Sequence, residues 1–247
     1  MSVPIQKVSV IIPVYNEALL IGEILRRVFQ APLPDGAELE VVVVDDGSTD
    51  STLAAIEVVL TEHPEYRPRF IRHTSLVNHG KGAALRAGFK LVTGDIIIIQ
   101  DGDLEYSPND YPALLAPFRD PAVEVVYGTR FAGGFPAGMR KANLLANLVL
   151  TASTRILYGQ NITDEATGYK VFRRSVLDKF PLQARGFEFC PEFTGKAMMA
   201  GIRITEVPIT YNPRGILEGK KIRARDGFTA IYWLAKVRLD SALQRYT

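Results

Sequence analysis

Four short runs of aliphatic and β-branched residues, each closed by a polar turn, constrain this chain more than any other feature. They are Lys7–Val14 (KVSVIIPV), Glu40–Val44, Arg69–His73 and Asp95–Gln100 (DIIIIQ). Between them lie segments with apolar residues at helical spacing: Leu20, Ile21, Ile24, Leu25 and Val28, then Thr52–Leu60, then Ala83–Leu91. Runs that are apolar without alternation are strands covered on both faces. Strand and helix in strict succession predict an α/β fold, a mostly parallel central sheet with helices on both faces. In such sheets ligands collect outside the carboxyl ends of the strands. The polar clusters Tyr15–Glu17, Asp45–Ser48 and Asp101–Glu105 all fall at those ends.

The second half is less regular. Val123–Arg130 and Ile202–Tyr211 read as strands, Arg140–Tyr158 and Phe228–Leu243 as helices, with a Gly-rich loop through Gly138. Neither an internal repeat nor a composition break divides the 247 residues. The expected organisation is one domain over 1–213, with a basic loop and amphipathic helix over 214–247 packed on it. That last segment holds eight Lys and Arg against three Asp and Glu, a surplus of five cations that leaves residues 1–213 at about −3. The whole chain carries only +2, which gives no reason to expect a nucleic-acid partner.

Composition excludes several classes. A single cysteine, Cys190, cannot build a disulfide framework and suits a reducing compartment. Three histidines in no zinc-like spacing argue against a zinc site. The N-terminus lacks the pattern of a signal peptide. The longest largely apolar uncharged stretch, Ala142–Thr154, is 13 residues, whereas a spanning helix needs roughly 20. A cytoplasmic protein is expected. Leu144, Leu145, Leu148, Val149, Ala152, Ile156 and Leu157 form an apolar stripe, which is either core or a surface for a bilayer interface.

Asp101 and Asp103 are the sharpest chemical signal. Two carboxylates one residue apart at a strand end suit a hard divalent cation, Mg²⁺ or Mn²⁺, with Glu105 as a further oxygen donor nearby. Taken alone, Asp-Gly-Asp is also an ordinary turn. Asp45 and Asp46 offer a helix cap and an acceptor for a base, and Pro13-Val14-Tyr15-Asn16-Glu17 supplies an aromatic ring and a carboxylate beside them. Asn78–Gly82 (NHGKG) lacks the spacing of a Walker loop, yet Lys81 at a helix start suits an anion. No G-x-G-x-x-G follows the first strand, which counts against a nicotinamide dehydrogenase. Arg130, Arg140, Arg214, Lys220 and Lys221 are surface charges or, if they converge, a diphosphate-neutralising set.

The order of these clusters carries a resemblance. VSVIIPVYNE, VVVVDDGSTD, NHGKGAALRAGF, GDIIIIQDGDLEYSP and GTRF together resemble the family 2 glycosyltransferases of the GT-A fold. ITDEATGYKVFRRSVL, FEFCPEF and EVPITYNPRGILEGKK are similar to the polyprenyl-phosphate sugar transferase branch typified by dolichol-phosphate mannose synthases. The resemblance implies that Pro13, Tyr15, Glu17 and Asp46 hold the nucleoside and that Asp101 and Asp103 hold metal and diphosphate. Glu105 stands where relatives often carry Gln. Arg130 and Arg140 match basic positions near the donor diphosphate and acceptor phosphate, while Arg214, Glu218 and Lys220 match a loop that closes over the site, with Ile216 where a second Arg is common. The implied reaction is an inverting, metal-dependent transfer from a nucleotide-diphosphate sugar, of GDP-mannose or UDP-glucose type, to a polyprenyl phosphate. Peripheral contact with the cytoplasmic face of a membrane is part of that expectation. A hydroxyl acceptor would instead require a base, for which Asp164, Glu188 and Glu192 are available. A non-catalytic nucleotide-sugar-binding subunit and a nucleotidyltransferase are the readings from other classes.

Overall fold

The structure is a computed structural model and describes residues 4–136, 138–213 and 224–243. Seven strands form one sheet: β1 (Lys7–Val14), β2 (Glu38–Asp45), β3 (Phe70–Thr74), β4 (Ile96–Ile99), β5 (Val125–Thr129), β6 (Lys170–Arg173) and β7 (Ile204–Pro208). Their spatial order is β3-β2-β1-β4-β6-β5-β7. β6 alone runs against its neighbours, antiparallel to both β4 and β5, so the sheet is mostly parallel as the sequence predicts.

The uniform apolar runs arise because each strand faces two cores. Val8, Val10 and Ile12 of β1 and Val41 and Val43 of β2 point to a core closed by α1 (Ile21–Phe29), α2 (Thr52–Glu62) and α4 (Tyr111–Leu115). Ile11, Val42 and Val44 point to the other, closed by α3 (Lys81–Phe89) and α6 (Phe189–Met199). All four isoleucines of β4 are at most 1% exposed; burying each contributes about 1.5–3 kcal/mol, so this strand anchors the centre of the sheet.

Three elements lie outside the sequence prediction, β6, α4 and α6. Only Val171 and Phe172 mark β6 as apolar, and Lys170 sits fully in the core. Its ammonium is tolerated there because it donates to the carbonyls of Glu165 and Thr167, both at 2.9 Å, and lies 4.2 Å from the Tyr127 ring centre. The start of α6 contains Pro191, which only the first turn of a helix accepts readily.

The helix α5 (Lys141–Tyr158) decides between core and surface in an unexpected way. Its buried residues are Asn147, Leu150, Thr151 and Thr154, whereas Leu145, Leu148, Val149 and Ile156 are exposed. The polar face turns inward because the loop after the helix needs partners. Asn147 donates to Asp164 and accepts from Ala166 N–H, and Thr151 Oγ1 accepts from Glu165 N–H. The last helix, α7 (Ala224–Leu243), packs on α5 and α6 through Ala230, Leu234 and Val237, and exposes Phe228, Tyr232 and Leu239. Among the described residues no helix is long and apolar enough to cross a membrane.

Candidate active site

From β1 the chain winds outward through β2 and β3, then returns to place β4 on the other side of β1. A crevice opens at such a reversal, at the carboxyl ends of the strands. The turns leaving β1, β2 and β4 carry Tyr15–Glu17, Asp45–Ser48 and Asp101–Glu105 to that edge. Among the described residues the non-glycines with positive φ are Asn16 (51°) and Leu104 (58°), and both lie in these turns. Asn16 is supported by its side chain, whose Oδ1 accepts from Thr49 N–H at 2.8 Å. For Leu104 the left-handed conformation costs about 1–2 kcal/mol. The turn is held against that cost by Glu105 N–H, which donates to Asp103 Oδ1 at 3.1 Å.

Asp101 is positioned from three sides. Gln100, fully buried, donates its amide to the Asp101 carbonyl at 3.0 Å and is itself fixed by the hydroxyls of Tyr169 (2.7 Å) and Tyr111 (3.0 Å). Gly168 leaves space for the carboxylate, since a Cβ there would lie 2.5 Å from Asp101 Oδ2. Lys81 Nζ donates to Asp101 Oδ1 at 2.5 Å.

Lys81 is the first residue of α3, the helix start expected for it, and the helix begins two residues earlier than its apolar spacing predicts. Its N-cap, Gly80, has φ of 98° and presses on the Arg185 carbonyl, which a Cβ would meet at 2.5 Å. Only glycine fits that backbone. From the other side, His79 and Gly80 N–H donate to the two carboxylate oxygens of Asp46, at 3.0 and 2.6 Å. Asp46 therefore anchors the loop that presents Lys81, with a second lone pair still available on each oxygen. Burial acts to lower the pKa of the Lys81 ammonium, but Asp101 and the acidic groups around it outweigh this and push it up to about 12. A cleft of about 310 Å³ beside Asp46 is lined by His73, Ser75, His79, Arg86 and Lys90. A roomier cavity of about 510 Å³ lies at the opposite end of the strands, around Lys7, Glu38 and Arg69, away from the carboxylates.

Arg130 follows β5 and is not a free cation. Its Nε and Nη2 fork onto Asp164, both at 2.7 Å, and its backbone N–H adds a third bond at 3.0 Å. Its guanidinium carbon lies 5.1 Å from the Tyr211 ring centre and 5.9 Å from that of Phe131. Glu105 is buried, and its Oε2 accepts from Tyr211 at 3.3 Å. Pro13, Tyr15 and Glu17 are half-buried along the crevice, and exposed Arg140 caps the start of α5. Arg214, Glu218 and Lys220 lie outside the described residues.

Among the described residues no three His, Cys, Asp or Glu side chains converge to hold a metal unaided. The donors fit a different arrangement. Two hard oxygen donors on one turn, with Gly168 giving the Asp101 carboxylate room, suit Mg²⁺ or Mn²⁺ when a diphosphate completes the shell. Of the expected trio, Glu105 is also an acceptor for Tyr211 through Oε2.

Sequence reasoning did not foresee the Lys81–Asp101 and Arg130–Asp164 pairs or the role of Gly168. Each joins positions 20 to 67 residues apart, and only the sheet order, with β6 inserted beside β4, brings them together.

The family model described as Glycosyl transferase family 2 matches residues 9–180. A polyprenol monophosphomannose synthase of Mycolicibacterium smegmatis is 32% identical over 250 aligned residues, covering 97% of this chain and 91% of that protein. An undecaprenyl-phosphate 4-deoxy-4-formamido-L-arabinose transferase of Salmonella paratyphi B is 31% identical over 217 residues, 88% of this chain but only 63% of that longer protein. Among solved structures, glucosyl-3-phosphoglycerate synthase of Mycobacterium tuberculosis with UDP superposes with a TM-score of 0.69 at 19% identity, covering 96% of this chain and 80% of that one. The same enzyme with Mn²⁺, UDP and phosphoglyceric acid gives 0.68 at 21% identity, covering 96% and 78%. At these identities the superposition shows the fold, which is GT-A.

Proposed function

The chain belongs to glycosyltransferase family 2, and from that premise we propose that it moves a hexose from a nucleotide-diphosphate sugar to a polyprenyl phosphate. The observation that carries the choice of acceptor is the state of Asp164 and Glu192, two of the three carboxylates available as a base, with Glu188 engaged through one oxygen. Asp164 is saturated by Arg130 and Asn147. Glu192, fully buried, accepts from the N–H groups of Gln183 and Ala184 and from Lys196. Glu188 Oε1 accepts from the N–H groups of Arg185 and Gly186. A hydroxyl acceptor needs a base within reach. A phosphate monoester, with a second pKa of about 6, is already largely dianionic at neutral pH and attacks without one.

The roles then divide along the crevice. Tyr15, with Pro13 and Glu17 beside it, and the remaining lone pairs of Asp46 receive the nucleoside; a GDP-mannose or UDP-glucose type donor fits this reading. Asp101 and Asp103 hold the Mg²⁺ or Mn²⁺, which when bound supplies Lewis-acid stabilisation of the departing nucleoside diphosphate. Lys81 adds a cation at the same diphosphate. Arg130, held on Asp164, shapes the loop over the sugar, and Arg140 stands at the rim to receive the acceptor phosphate, with Arg214 and Lys220 of the closing loop. Displacement in a single step inverts the anomeric centre.

The test is incubation with radiolabelled GDP-mannose and UDP-glucose and a polyprenyl phosphate, with and without EDTA. One label is expected in the organic extract, with nucleoside diphosphate released and both signals lost in EDTA. Label that stays in the aqueous phase on a soluble acceptor, or release of pyrophosphate, would reject the proposal.

A lipid acceptor also gives a reason for the outward apolar face of α5. Leu145, Leu148, Val149 and Ile156, flanked by Arg140, Lys141 and Arg155, have the make-up of a helix lying in the headgroup region of an anionic leaflet. The protein is expected to sediment with phosphatidylglycerol-containing liposomes, and Leu148→Asp with Ile156→Asp to reduce the bound fraction about tenfold. Sedimentation unchanged by the pair would remove α5 from the contact.

A further inference from the structure

The Lys81 ammonium occupies one of the oxygens on which the cation reading depends. Nζ stands 2.5 Å from Asp101 Oδ1, and the two side chains are only 16% and 19% exposed. The root of Lys81 cannot drift. Gly80 is tied to Asp46, and the N–H groups of Gly82 and Ala83 donate to the carbonyls of Gly186 and Arg185 at 3.2 and 2.9 Å. Any movement of the ammonium is therefore a swing of its own four-carbon stem. A Mg²⁺ ion sits about 2.0–2.1 Å from each ligand oxygen. On Asp101 it would face the ammonium at a few ångströms in a shielded site, where like charges repel strongly. A diphosphate arriving at the same place offers the ammonium a new partner.

We propose that Lys81 is a resident cation that keeps Asp101 paired while the crevice lacks donor, opposes metal binding in that state, and transfers to the donor's diphosphate when nucleotide and metal enter together. This rests on reading Asp101 and Asp103 as the cation site. Its consequence is positive coupling: nucleotide tightens metal binding, and metal tightens nucleotide binding by the same factor. The divalent ion is thereby held only when there is a leaving group for it to serve.

The experiment is a titration of the full chain with Mn²⁺, read as loss of the free-ion EPR signal, alone and with GDP or UDP. For the wild type, weak binding alone and tightening by about 5- to 150-fold with one nucleotide are expected, the usual range of such coupling. Lys81→Met is expected to bind Mn²⁺ at least about fivefold more tightly than wild type without nucleotide, with the coupling correspondingly reduced. Lys81→Arg, which keeps the charge, is expected to stay near wild type. Lys81→Gln serves as a second neutral variant, and circular dichroism melting establishes that each variant is folded. Wild type that takes up no Mn²⁺ even with nucleotide overturns the cation site itself. Wild type that binds Mn²⁺ with nucleotide, while neutral variants leave the nucleotide-free affinity unchanged or weaker, overturns the role of Lys81 and leaves the cation site standing.

Discussion

Asp103→Asn is expected to lower sugar transfer by about 10²–10³-fold, the usual scale for removing one preorganised group that stabilises transition-state charge. The substitution isolates charge from shape. Asn retains an Oδ1 that can accept from Glu105 N–H, so the turn built on Leu104 at φ 58° persists. What disappears is half of the negative charge offered to a divalent ion, and an amide oxygen is a far weaker ligand for a hard cation than a carboxylate. Nucleotide binding measured by calorimetry should become insensitive to added Mg²⁺ or Mn²⁺, while the melting temperature stays near wild type. Asp103→Ala removes both charge and turn acceptor and should act at least as strongly on transfer. Metal-dependent nucleotide affinity that survives in both variants would show that these carboxylates hold no cation.

How much of this site could be read before the fold is a question of range along the chain. The strand-end clusters were legible because the chemistry is local: DIIIIQ followed by Asp101-Gly102-Asp103 contains both the buried strand and the polar turn that must follow it. β1 is predicted to the residue at Lys7–Val14, and the other predicted strands differ by one to three residues at an end. β6 was not legible, because Lys170 breaks the apolar run and the carbonyls that accept its ammonium belong to a loop with no periodicity. With β6 unseen, nothing in the sequence could bring Gly168 against Asp101 or Tyr169 against Gln100. The apolar stripe of α5 left core and surface undecided for the opposite reason. Spacing shows that one side of a helix is apolar, but the side turned inward is chosen by partners, here the Glu165 and Ala166 N–H groups and the Asp164 carboxylate.

Asp164→Ala should be the most destabilising change in the second half of the site. Asp164 is fully buried, the Arg130 side chain is 9% exposed, and the pair is bidentate. Removing the carboxylate leaves a guanidinium enclosed between Tyr211 and Phe131 with its Nε and Nη2 donors unmatched. Breaking one partner of such a pair costs about 3–5 kcal/mol, much of it from the stranded charge. At about 2–4 °C per kcal/mol for a chain of this size, the melting temperature should fall by roughly 6–20 °C. Arg130→Met also breaks the pair and strands Asp164, although Asn147 and the Arg130 N–H still donate to it, so its cost should be smaller. Combining Arg130→Met with Asp164→Ala removes both charges and should restore part of the loss, giving a coupling of about 0.5–3 kcal/mol in the double-mutant cycle. The same cycle addresses the chemistry. Asp164→Asn removes the charge that pairs Arg130 and should lower the melting temperature under either role. Assayed well below that temperature, a general base at Asp164 predicts transfer lost by several powers of ten in the folded variant, whereas a carboxylate that only fixes Arg130 predicts that substantial transfer remains. Transfer lost by several powers of ten in the folded variant would move the acceptor assignment from a lipid phosphate to a hydroxyl.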